Sequence, residues 1–194
     1  MPSQRNTLAR SLNDVGLAAW FGGSLMGAVG LNGATQEVSD PRERTRVANA
    51  GWGRWQPLNA GAVGAYLLGS TKLLRANRGR LVAQRGVGTL SGLKTLLTLA
   101  ALGATAYSGY MGRKVEAHEA TGAPGGGGVS AEGATEPAPQ TPPEAAEAQR
   151  RLRTLQWAIP ALTGALLVVD SGLSEQQRPR QVVRGVLERL NPGD

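Results

Sequence analysis

The stretch Val15–Leu31, VGLAAWFGGSLMGAVGL, is seventeen residues long, carries no charge and has Ser24 as its only polar side chain. At 1.5 Å rise per residue a helix of that length reaches about 25 Å, close to the roughly 30 Å hydrocarbon core of a bilayer. Three further runs repeat the pattern: Leu58–Thr71 (LNAGAVGAYLLGST), Thr89–Gly112 (TLSGLKTLLTLAALGATAYSGYMG, with Lys94 its one charge) and Leu155–Leu173 (LQWAIPALTGALLVVDSGL, with Asp170 near its end). The fold these runs predict is all-α: a four-helix transmembrane bundle with a flexible Gly/Pro-rich loop and a C-terminal amphipathic helix. Its spans are expected at about 15–32, 55–74, 89–112 and 151–173, after an N-terminal tail over 1–14.

The second run is the shortest. Pro57 is expected to start its helix, because the missing N–H would be unsatisfied in a first turn anyway. Trp52 and Trp55 just before it read as interfacial aromatics, and Lys72 and Arg75 after it as snorkelling cations. Asn13 and Asp14 abut the first run and no small-residue cleavage site follows it, so it reads as a retained anchor rather than a signal peptide. A linker over 114–150 follows the third run. Its segment 121–149 (TGAPGGGGVSAEGATEPAPQTPPEAAEAQ) has too few apolar side chains for a core and reads as flexible and acidic. A helix is expected to resume near Pro142, where acids precede arginines as the macrodipole favours. In the tail, 174–194, Val182, Val183, Val186, Leu187 and Leu190 form one stripe on a basic helix, suited to packing on protein or lying on anionic lipid.

Composition narrows the chemistry. The 194 residues include no cysteine and a single histidine, His118, which reads as a solvated loop residue. That leaves no thiolate chemistry, makes a zinc site improbable and gives no cofactor to expect. A Ser/His/Asp arrangement would need His118 from the linker, and no glycine cluster matches a phosphate-binding loop. The mean hydropathy of −0.21 is that of a soluble protein, because polar residues are concentrated between the apolar runs. The net charge of +7 comes with eight aromatics, too few to interleave a nucleic-acid face. The basic residues flank apolar runs instead, so the expected partners are membrane lipid with anionic head groups, and a homo-oligomer or other membrane proteins, but not nucleic acid.

Lys72, Arg75, Arg78, Arg80 and Arg85 fall within fourteen residues without one acid. As a membrane-surface basic loop they predict a cytoplasmic position, hence an inner-membrane, multi-pass protein with both termini inside. Lys94 and Asp170 each lie about one turn inside their spans, at matching depths on the same side as Asp14 and Lys72. They form either an intramembrane ion pair or two side chains snorkelling separately. Gly23 and Gly27 make a G-x-x-x-G, and Ala60/Gly64, Ala65/Gly69 and Ala100/Ala104 are similar small pairs. Such spacing serves close helix packing within the chain, or homodimerisation through the first span.

The segment Asn13–Ala34 (NDVGLAAWFGGSLMGAVGLNGA) resembles a group of uncharacterised four-span integral membrane proteins of actinobacteria. It is also similar to small four-helix membrane families with Trp-Phe-Gly-Gly in the first span, including copper-resistance D-like proteins. The resemblance implies a polytopic membrane protein and brings no catalytic residue. Copper does not carry over, since cysteine is absent and Met1, Met26 and Met111 are far apart. The function expected is therefore a non-enzymatic structural or interaction component of the cell envelope. The alternatives are a small transporter or channel subunit and a soluble helical protein.

Overall fold

The computed structural model describes residues 6–76, 87–121 and 131–175, of which 87% are helical, with no strand. Four long helices carry the fold. Helix α1 (Thr7–Met26) runs on through a π-helical turn at Gly27–Leu31, a short α-turn at Asn32–Ala34 and a 3-10 turn at Thr35–Glu37. Helices α2 (Arg44–Ala76), α3 (Val87–Thr121) and α4 (Pro143–Glu175) follow. Three stretches are long and apolar enough to cross a membrane: Thr7–Glu37, Gly88–His118 and Pro143–Glu175.

The helices outrun the apolar segments at their ends, because a count of apolar residues stops at the first polar side chains while backbone hydrogen bonding continues through them. At 33 and 35 residues, α2 and α3 are each about 50 Å long. Helix α2 begins at Arg44 rather than at Pro57, which sits inside it. An interior proline removes one hydrogen bond and crowds the carbonyl of Gly53, and in apolar surroundings neighbouring helices can compensate. Pro160 likewise lies in the middle of α4, whose start at Pro143 uses a proline where no N–H is needed.

The linker expectation over 114–150 needs correction in its described part. Residues 114–121 continue α3 and residues 143–150 begin α4. Between them, residues 131–142 fold into an ordered turn with an Ala131–Pro137 bridge, and Ala131, Ala134, Thr135 and Thr141 are buried. Hydrogen bonds replace the apolar core that this composition lacks. The Ala131 N–H donates to Pro41 O at 3.2 Å, Ala134 N–H to Thr35 Oγ1 at 3.1 Å and Arg44 Nη1 to Glu132 O at 2.8 Å. The glycine run 125–128, the residues Arg78, Arg80 and Arg85, and the tail 176–194 lie outside the described residues.

The chain divides into two compact units. Unit 1 comprises Met1–Trp20, Gly61–Ala100 and Leu162–Asp194; unit 2 comprises Phe21–Ala60 and Ala101–Ala161. Each contains a length of all four helices. In unit 1 the backbones of α1 and α2 approach closely at two glycines. A Cβ on Gly16 would stand 2.5 Å from Ala62 O and from Tyr66 N, and one on Gly69 would strike Ala9 O and the Asn13 backbone. In unit 2, Met111, Val115 and Ala148 form a small apolar cluster with Leu152 against it.

Candidate functional site

The inward face of α1 is a stripe at helical spacing: Ala9, Asn13, Gly16, Leu17, Trp20, Ser24, Gly27 and Ala28 are buried, followed by Asn32 and Thr35. Its first polar member, Asn13, is the centre of a side-chain hub in unit 1. The residue is 2% exposed, and its amide fills every hydrogen-bonding position it has. The Oδ1 atom accepts from Ser70 Oγ of α2 at 2.6 Å and from Lys94 Nζ of α3 at 3.0 Å. The Nδ2 atom donates to Asp14 Oδ1 and to Asp170 Oδ2 of α4, both at 2.9 Å. The amide orientation follows from this set, since the flipped amide would turn its N–H groups onto the ammonium.

Lys94 and Asp170 come together at 2.6 Å between Nζ and Oδ1, with side chains 15% and 14% exposed. The ammonium also lies 5.3 Å from the centroid of the Tyr66 ring, and that ring packs on Trp20 at 6.0 Å. Tyr66 and Trp20 are both fully buried. Thr98 Oγ1 donates to the Lys94 carbonyl at 2.8 Å, so Tyr66 Oη, 2.7 Å away, is the donor to Thr98. Each of the four helices thus supplies at least one polar side chain to a single node. Asp14 and Lys72 are exposed, Asp14 touching the hub through Asn13 and Lys72 pointing away from it on α2.

Lys72 and Arg75 lie on the last turns of α2 and not in a loop, both exposed. Gly23 and Gly27 do not bring two backbones together: a Cβ on Gly23 would strike the Trp55 ring and one on Gly27 the Trp52 ring. The indoles that read as interfacial aromatics fill these notches, so the pair packs side chain against helix within unit 2. The backbone contacts fall instead at Gly16 and Gly69.

A second polar node lies in unit 2. Trp52 Nε1 donates to Asn32 Oδ1 at 2.9 Å, and Asn32 Nδ2 donates to Gln156 Oε1 at 2.7 Å. Thr35 Oγ1 donates to Asn32 O at 2.6 Å and accepts from the Ala134 N–H, tying this node to the 131–142 turn. The π-helical turn advances the stripe here, with the Asn32 N–H bonded to Gly27 O. His118 is not in a loop but on the last turn of α3, its Nε2 3.5 Å from Glu144 Oε2 of α4.

Asn13 and Asn32 are the functional-site residues that sequence reasoning misses. Both flank the Val15–Leu31 run, and a polar residue at the end of an apolar run reads as the end of a span. The signal for Asn13 is phase, since Asn13, Gly16, Trp20, Ser24 and Gly27 share one helical face of small and polar residues, whereas the π-helical turn takes Asn32 out of that phase. Among the described residues no group of three or more His, Asp or Glu is placed to hold a metal ion. Neither a family model, nor a curated protein, nor a solved structure matches the chain.

Proposed function

We propose that this chain is a polytopic membrane protein with four spans, a non-catalytic structural or interaction component of the cell envelope. The observation that carries the reading is the set of large aliphatics left exposed along helices that also bury polar side chains. Asn13, Ser24, Thr163 and Gln149 are buried, while Val15, Met26, Leu58, Leu68, Leu96, Leu99 and Val168 are exposed large aliphatics. Water penalises that arrangement, and hydrocarbon favours it. Of the three stretches long and apolar enough to cross a membrane, the one on α3 is the least covered, with 6% of its most apolar part buried. Helix α2 is the most polar of the four, and it can cross in company because Tyr66 and Ser70 face the hub.

The hub favours a structural role over transport. Asn13 has no donor or acceptor left for a passing ligand, and the Tyr66–Thr98 branch ends on the Lys94 backbone carbonyl. Lys72 and Arg75, with Arg78, Arg80 and Arg85 beyond them in sequence, support an inner-membrane protein with both termini in the cytoplasm. Cell fractionation tests the membrane reading. The whole chain is expected to remain in the membrane pellet after alkaline carbonate washing and to be released by detergent; recovery in the supernatant without detergent sinks the proposal.

A further inference from the structure

Resting on the membrane reading, we infer that the outer face of the last turns of α2 is a binding strip for an anionic phospholipid, with Lys72 and Arg75 holding its phosphate and Leu68 its acyl chain. Leu68, Lys72 and Arg75 stand at i, i+4 and i+7, which places them on one helix face, and all three are exposed. The face that carries Tyr66 and Ser70, with Gly69 at its edge beside Lys72, is committed to α1 and the hub. The strip is therefore apolar at one end and doubly cationic at the other, the profile of a phospholipid at the hydrocarbon edge.

Charge balance differs between the two units. In unit 2, nine Lys/Arg are offset by nine Asp/Glu. Several of those cations are engaged: Arg46 with Glu43, Arg151 with Glu147 and Arg153 with Glu136. Unit 1 holds twelve Lys/Arg against five Asp/Glu, so the whole net charge of +7 resides there. Its described carboxylates are Asp170, held by Lys94 and Asn13, Asp14, which accepts from Asn13, and Glu175, which is also engaged. No carboxylate among the described residues reaches Lys72 or Arg75. Lys72 and Arg75 stand within one helical turn of each other, and at the hydrocarbon edge of a bilayer a lipid phosphate is the anion within their reach.

Native mass spectrometry of the whole chain released from nanodiscs of equal phosphatidylglycerol and phosphatidylcholine tests the strip. The wild type is expected to retain phosphatidylglycerol preferentially. Lys72→Ala or Arg75→Ala lowers that preference about five-fold and the double variant about thirty-fold, from the attraction of each cation to an anionic surface. Lys72→Arg with Arg75→Lys keeps it, and Arg54→Ala, on the same helix but in unit 2, leaves it unchanged. No preference in the wild type, an undiminished preference in the double alanine variant, or an equal loss in Arg54→Ala overturns the inference. A chain that fails to enter nanodiscs and is recovered soluble refutes the membrane reading instead.

Discussion

Asn13 decides how the four helices meet in unit 1, because a planar amide with two donors and two acceptor positions can satisfy four neighbours in only one orientation. The ion pair it holds is nearly buried, and such pairs are fragile in a specific way. Removing one partner leaves an uncompensated charge, whereas removing both leaves a smaller penalty. Lys94→Met is therefore expected to destabilise the purified protein by about 3 kcal/mol, read as a drop in its denaturation midpoint in detergent. Adding Asp170→Asn should return at least half of that loss, since an asparagine oxygen still accepts from Asn13. If the two costs instead add, the side chains are energetically independent despite their 2.6 Å separation. The matching depth of Lys94 and Asp170 was legible from counting turns inward along two apolar runs, but that count left pairing and separate snorkelling both open. Asn13 was not legible, because its identity suggests a helix flank and only its phase with Gly16 and Trp20 reveals the face it shares.

Helix packing depends less on how many glycines a helix has than on what stands opposite each one. Gly16 and Gly69 face backbone, which cannot rotate aside, so a methyl group there must separate α1 from α2. Gly16→Ala and Gly69→Ala are each expected to cost about 1–3 kcal/mol, measured as a lower midpoint in the same denaturation assay. Gly64, although it belongs to a small-residue pair with Ala60, has open space around its Cβ position, and Gly64→Ala should leave the midpoint unchanged or raise it slightly. Equal effects at Gly16 and Gly64 would show that the close approach is not what holds these helices. The positions of the apolar runs were legible because uninterrupted apolar length shows directly in the sequence. The helix ends were not, because beyond the apolar runs helix continuation rests on hydrogen bonding and tertiary contacts that composition does not encode. Residues 131–142 show the same limit, as an ordered turn built on backbone hydrogen bonds without an apolar core.

For the whole molecule, the unresolved choice in the sequence is which way the chain faces, since cations flank the apolar runs on both expected sides. Lys72, Arg75, Arg78, Arg80 and Arg85 fall within fourteen residues, starting at the end of the second expected span. Retention of cations on the cytoplasmic side acts on basic residues close to span ends, which favours the α2 end as the inward one. The absence of native cysteine makes this directly measurable, because any introduced thiol is the only one present. Gln140→Cys, at an exposed position of the 131–142 turn, should react with an impermeant maleimide in intact cells stripped of their outer barrier. Ala76→Cys, at the exposed end of α2, should react only after the membrane is permeabilised. The reverse pattern inverts the orientation and leaves the spans intact. Labelling of both from outside places the two positions on one side, which a four-span chain with these connections does not allow.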